Sequence, residues 1–150
     1  MLKLKKIIKD KLEFFYSHFK RTTLDWEDRS LILQANILMS SDFWRYRGDV
    51  FDLSYKEFRV FSQWGDDGII QYLIHELKLK NKLFIEFGVG NYYESNTHFL
   101  LVNNNWSGFV IDGSKKSLDI VRNNNFFWRY DLKFKAAFIN KDNINDLLKE

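Results

Sequence analysis

The sequence predicts an α/β fold in which three parallel strands with flanking helices follow an N-terminal helical arm. Three observations carry this reading. Short apolar runs at 83–87, 108–112 and 134–139 alternate with stretches whose apolar residues recur every three or four positions. The first run carries one acid and opens into two closely spaced glycines, Gly88 and Gly90. Residues 1–56 instead read as helices leading into an aperiodic joint, so the chain divides into an arm and joint (1–56) and a domain (57–150). Apolar residues make up 45% of the 150 positions and aromatic residues 18%, which supplies a core and favours a folded over a disordered chain.

Residues 1–24 hold seven basic side chains, Lys3, Lys5, Lys6, Lys9, Lys11, Lys20 and Arg21, against Asp10 and Glu13. The net charge of +3 is therefore concentrated in the arm. Leu4, Ile8, Leu12, Phe15 and Phe19 draw an apolar stripe through the same segment, making an amphipathic helix with a basic face. A helix packed on its own domain with a solvated lysine face is the favoured reading, and peripheral membrane or partner contact the alternative. The interruptions by lysine exclude a secretory leader or a membrane span. Basic residues confined to one helix, with no recognition module, argue against nucleic acid as a partner. A second helix is expected over 26–40, capped by Asp25, with Leu31, Ile32, Ala35 and Leu38 or Met39 facing a core.

Beyond the joint, Asp66 or Asp67 is positioned to cap a helix through Ile69, Ile70, Tyr72, Leu73, Ile74 and Leu77. The first strand follows at Leu83–Phe87, and its unbroken apolar character suggests burial on both faces. Ser95 or Asn96 can cap a helix carrying Phe99, Leu100, Leu101 and Val102. Strand two is Gly108–Asp112, a helix spans about Lys115–Arg122, strand three lies near Phe134–Ile139, and Asn143 begins a last helix. The asparagine triplets at 103–105 and 123–125 suit left-handed caps or turns. Alternating helix and strand implies a mainly parallel sheet with any ligand at the strands' carboxyl ends.

Cysteine is absent, which excludes disulfides and thiolate zinc sites and fits a reducing, cytoplasmic setting. His18, His75 and His98 have no metal-binding spacing. Chemistry therefore concentrates at the glycine turn. Glu86 would lose solvation inside a buried strand, so it belongs at the carboxyl end, where a ligand or backbone amides use its charge. A dinucleotide fingerprint needs a third small residue at the position held by Tyr93, whose bulk argues against NAD or FAD. Gly88 and Gly90 let a cofactor edge lie against backbone, and Asp112 at the end of strand two suits adjacent ribose hydroxyls. The same glycines and Asp112-Gly113 also suit plain turns.

Glu86-Phe87-Gly88-Val89-Gly90 resembles motif I of class I S-adenosylmethionine-dependent methyltransferases, with Asp112 in place of that family's second-strand acid. The stretch Phe61-Ser62-Gln63-Trp64-Gly65-Asp66-Asp67-Gly68-Ile69 looks like the F-S-Q-x-G-E-D-G-I signature of FkbM-like methyltransferases, with Asp66 for the usual Glu. The resemblance implies an incomplete Rossmann-like class I methyltransferase fold over 57–150. It implies S-adenosylmethionine as cofactor and a small-molecule or glycan hydroxyl as methyl acceptor. It also implies a cofactor site of Glu86, Gly88, Gly90, Asn91 and Asp112, with Ser62, Gln63 and Asp67 in a turn beside it. For that turn a helix-capping loop with Trp64 in the core remains an equal alternative. Asn91, Glu94, Ser95 and Asn96 match the polar turn after motif I and either orient the cofactor or cap the next helix. Only the first three strands of a seven-stranded sheet are expected, leaving one edge of strand one open to self-association or a complementing polypeptide. The strand-four acidic motif is expected to be missing, and no residue is assigned as methyl-transfer base. A non-catalytic remnant or interaction module is the alternative.

Overall fold

The computed structural model describes residue 12 and residues 26–49, 52–123 and 129–149. The basic stripe of residues 1–24 lies outside these, apart from Leu12, and so do Asp25 and the Asn124–Asn125 pair. Contacts divide the chain into two compact units, Met1–Ser41 and Asp42–Glu150. In the first, residues 26–40 are helical (α1), with Ala35 buried, Ile32, Leu38 and Met39 half-buried, and Leu31 on the exposed side. Among the described residues no helix is long and apolar enough to cross a membrane.

The second unit begins with α2 (Asp42–Tyr46), in the segment the sequence pattern left aperiodic. A single 3-10 turn follows at Leu53–Lys56. These short elements hold because Lys56 is buried between them. Its Nζ donates to the carbonyls of Trp44, Arg45 and Arg47 at 3.0, 2.8 and 2.8 Å, using all three ammonium protons at the C-terminal end of α2. The ammonium also lies 4.6 Å from the centre of the Tyr72 ring, and Trp44 Nε1 donates to the Lys56 carbonyl at 3.2 Å. A five-residue helix has few bonds of its own, so a long-range lysine and an indole supply what propensity cannot.

Helix α3 (Asp66–Glu76) starts after Gly65, whose φ of 90° turns the chain into it. Gly68 in its first turn presses on the preceding segment: a Cβ there would stand 2.1 Å from the Lys56 carbonyl oxygen and 2.5 Å from the Phe58 nitrogen. Glycine is thus required by close backbone approach. Neither Asp66 nor Asp67 caps the helix as expected. The N-cap is Gly65, with no side-chain bond, and Asp67 bonds outside its helix.

The sheet contains β1 (Leu83–Phe87), β2 (Ser107–Asp112) and β3 (Leu132–Ala136), all parallel and in the order β1-β2-β3. Helices α4 (His98–Val102) and α5 (Lys115–Arg122) form the crossovers, and α6 (Ile144–Leu147) follows β3. Register sets Phe84, Gly108 and Leu132 side by side, then Glu86, Val110 and Phe134. Phe84, Val110 and Leu132 join Leu100, Leu101, Trp106, Leu118 and Val121 in one core, with Ile70 and Ile74 of α3 against it. Helices α3, α4 and α5 therefore cover the same sheet face.

On the opposite face Leu83, Ile85 and Phe87 are 61%, 46% and 45% exposed, whereas Ile111 beside Phe87 is buried. Burial of β1 on both faces is corrected accordingly: one face is packed and the other open, at an edge of the described sheet. Strand three also begins earlier than expected, at Leu132, because its span follows the register with β2. Phe138, expected inside it, is 82% exposed.

Candidate functional site

The turn after β1 reaches across to the end of β2. Gly88 N–H donates to the Ile111 carbonyl at 2.9 Å, and Gly90 N–H to Asp112 Oδ2 at 2.8 Å. Asp112 Oδ1 accepts the Ser114 N–H at 2.7 Å, so one carboxylate ties together the two strand-to-helix turns. Both glycines have positive φ, 71° at Gly88 and 55° at Gly90, and a Cβ built on either meets no atom within 4 Å. Conformation rather than crowding by the chain demands glycine here. Asn91 Oδ1 accepts the Tyr93 N–H at 3.1 Å, closing an Asx turn at the end of the loop.

Glu86 stands on the packed face near the carboxyl end of β1 and organises the same loop from below. Its Oε1 accepts the Asn96 N–H at 3.1 Å, and its Oε2 accepts the Thr97 N–H at 3.0 Å and the Thr97 hydroxyl at 2.5 Å. The Ser95 hydroxyl also donates to Oε2. The expected use of its charge by backbone amides is what this geometry contains. Ser95 and Asn96 do not cap α4: its N-cap is Thr97, without a side-chain bond, and both residues serve Glu86 instead.

Ser62, Gln63 and Asp67 lie on the segment that enters α3. Asp67 Oδ2 accepts the N–H groups of Val60, Phe61 and Ser62 at 2.8, 2.7 and 3.0 Å, while Ser62 Oγ accepts the Asp67 N–H at 2.9 Å. Asp67 is 1% exposed and its Oδ1 has no hydrogen-bond partner. Burial pushes its pKa up, opposed by the bonds from Phe61, Val60 and Ser62. This carboxylate folds the 60–62 segment onto α3 and does not face outward. Gln63 does: its Nε2 donates to Glu94 Oε2 at 3.0 Å, and Arg59 stands 3.6 Å from Glu94 Oε1. Trp64 is 79% exposed, so it does not fill the core.

A buried histidine joins the two segments. The ring of His98 stacks on Phe61 at 3.8 Å between centroids and on Tyr92 at 5.1 Å, with Nδ1 3.0 Å from the Tyr93 carbonyl oxygen. The carbonyl can only accept, so Nδ1 carries a proton. Burial pushes the His98 pKa down to about 4, against the opposing pull of the carbonyls. Tyr92 has φ 64°, a conformation that costs a bulky residue about 1–3 kcal/mol. Its ring is buried in the core cluster, and its hydroxyl meets Thr97 Oγ1 at 3.2 Å, contacts that offset the strain.

The structure thus brings Glu86, Gly88, Gly90, Asn91 and Asp112 into one loop system at the strands' carboxyl ends, with Gln63 linked to it through Glu94. Asp67 and Ser62 are one step removed, behind the backbone they hold. The sequence pattern gave no sign of His98, because its partners Phe61 and Tyr92 come from separate elements and aromatic residues are frequent throughout this chain. No protein-family model matches the chain, and a search of curated proteins finds no match.

Proposed function

We propose that residues 57–150 form the cofactor-binding part of an FkbM-like, S-adenosylmethionine-dependent methyltransferase that acts on a hydroxyl of a glycan or small metabolite. One observation carries the reading: a left-handed glycine turn after β1 is hydrogen-bonded to an acid ending the adjacent parallel strand. The residues fit the group. Cβ atoms at Gly88 and Gly90 would point into open space, so a ligand edge can lie against that backbone. Each Asp112 oxygen takes one N–H and keeps acceptor capacity for a ribose diol. When bound, the sulfonium would supply an activated methyl group. Asp112 would hold the ribose, the glycine turn would admit the sugar and methionine portions, and Asn91 would shape the loop. Glu86, Ser62 and Asp67 would keep the surrounding turns in place, and Gln63 would join them at the rim. No residue is given the task of proton removal. A cytoplasmic setting, with or without contact at a membrane surface, belongs to the same proposal.

Calorimetry with S-adenosylmethionine or its demethylated product provides the test. The folded chain is expected to give binding heat, and Asp112→Ala to weaken binding by at least about tenfold, roughly 1.4 kcal/mol. Circular dichroism checks that the variant, which also loses the Gly90 and Ser114 bonds, keeps its fold. No heat from the folded chain, with no effect of Asp112→Ala, sinks the reading.

A second reading, an interaction module, is favoured by the exposed Leu83, Ile85 and Phe87 on an edge strand. It predicts a species larger than a monomer in size-exclusion chromatography with light scattering, reverting to monomer in Ile85→Lys. A stable wild-type monomer counts against it.

A further inference from the structure

Helix α3 ends in a left-handed cap made without glycine. The N–H of Lys78 donates to the His75 carbonyl and that of Leu79 to the Ile74 carbonyl, both at 3.2 Å, with Lys78 at φ 50°. Glycine is the usual residue at such a cap, because it takes that conformation without a steric penalty. At the other end of the loop the Lys82 carbonyl accepts the Ser107 N–H at 3.0 Å, which pins the loop to the start of β2. The loop therefore stands at the amino end of the strands, opposite the glycine turn and Asp112.

Every residue from His75 to Leu83 is exposed, so the loop protrudes. Within that run Leu77, Leu79 and Leu83 are 65%, 50% and 61% exposed and interleave with Lys78, Lys80 and Lys82. Among the described residues, none forms an ion pair or hydrogen bond with the ammonium groups of these lysines. The nearest acids are engaged elsewhere: Glu76 stands 3.2 Å from His75, and Glu86 accepts the Thr97 N–H on the packed face. Helix C-termini favour cations, which accounts for Lys78 but not for leucines left in water beside it. One exposed leucine is ordinary, whereas three among three unpaired cations make a patch. The patch is aliphatic, and so lacks the aromatic platforms on which bases of a single-stranded nucleic acid stack. An anionic bilayer answers both of its properties at once, taking leucines into its headgroup and acyl boundary and lysines among its phosphates and carboxylates.

We propose that residues 77–83 are a contact for an anionic membrane surface, with Leu77, Leu79 and Leu83 entering the boundary and Lys78, Lys80 and Lys82 on the headgroups. The proposal does not rest on the methyltransferase reading, and it concerns a surface other than the basic stripe of residues 1–24. Contact at the amino ends of the strands leaves the glycine turn, at their carboxyl ends, directed away from the bilayer.

The experiment places a polarity-sensitive nitrobenzoxadiazole label at Leu79→Cys in the full chain, which has no cysteine of its own. Vesicles of phosphatidylcholine with roughly one-third phosphatidylserine are expected to shift its emission to the blue, and phosphatidylcholine alone to leave it unmoved. The same label at Lys141→Cys, in the exposed turn after β3, is expected to stay in water. In flotation, unlabelled Lys80→Glu/Lys82→Glu is expected to bind the anionic vesicles at least about tenfold more weakly. Leu77→Gln/Leu79→Gln is expected to weaken binding as well while keeping its salt dependence. Both double variants are expected to keep the helical content and the cofactor heat of the parent chain, so failure here is distinct from failure of the methyltransferase reading. The proposal is overturned if the Leu79→Cys label does not shift, or if the two labels shift alike. Vesicle binding that survives Lys80→Glu/Lys82→Glu unchanged overturns it too, by assigning the contact to another surface. It is equally overturned if Leu77→Gln/Leu79→Gln binds as tightly as the parent chain, since lysines acting without the leucines serve a soluble polyanion.

Discussion

Asp67→Ala is expected to cost about 4 kcal/mol of folding stability, because it strands three backbone N–H groups in a buried site. Those of Val60, Phe61 and Ser62 all converge on one carboxylate oxygen, and water has no access to replace it. Each orphaned donor costs about 1–3 kcal/mol, and local relaxation keeps the sum below simple addition. Asp67→Asn is the informative companion. Its side-chain oxygen can still accept from the three amides, while its NH2 replaces an oxygen that has no hydrogen-bond partner. The loss in Asn should therefore be well under that in Ala. Urea unfolding of the three proteins measures both differences. Equal losses in Ala and Asn would mean that charge, not acceptance of the three amides, is what the loop needs.

Acidification is expected to unfold the chain through His98. Its folded pKa of about 4 lies below the ordinary value of 6.5, with burial as the main cause. As pH falls below about 6.5 the unfolded chain takes up a proton that the folded chain refuses until about pH 4, so stability declines across that window. A separation of this size corresponds to about 3 kcal/mol at its lower end. Asp67 works in the other direction. Its pKa is raised, so its charged form penalises folding at neutral pH and protonation relieves that penalty at the acid end. Urea midpoints taken between pH 6.5 and about 4 should fall in the wild type and fall less in His98→Phe, which keeps an aromatic ring between Phe61 and Tyr92 without a titrating group. Parallel profiles for the two proteins would assign the acid sensitivity elsewhere. Because Tyr92 stacks on His98 and its N–H closes the glycine loop on the Val89 carbonyl at 2.8 Å, the same acid range is expected to loosen that loop first.

How much of this could be read from the residues depends on the range of the forces involved. The limits of β1 were legible to the residue and those of α5 closely, since an apolar run bounded by lysines and glycine, or a short periodic stretch, is a local signal. The limits of β3 were not. Leu132–Ala136 is a strand because β2 offers Gly108–Asp112 as its ladder, and no pattern within 134–139 records where the neighbour stops. The short helix Asp42–Tyr46 escaped for a related reason: it is stabilised from a distance by Lys56 and by Trp44, whose ring packs on Phe58 and Tyr72.

The candidate site divides in the same way. Gly88 and Gly90 announce a turn because left-handed backbone is cheap for glycine alone, and an acid closing an apolar strand announces a polar partner. Which partner is another matter. Glu86 goes to Ser95, Asn96 and Thr97, Asp112 to Gly90 and Ser114, and Asp67 turns away from the helix start where its position suggested a cap. A carboxylate has several nearby donors within reach of its chain position, and only three-dimensional packing selects among them. Local sequence therefore settled the order of helices and strands from Asp66 onward, the parallel sheet and the place of the glycine turn, all set by periodicity and backbone preference over a few residues. The partners of the carboxylates, the His98 stack, the exposed indole of Trp64 and the open face of β1 came from contacts between distant segments, whose energies no stretch of sequence holds alone.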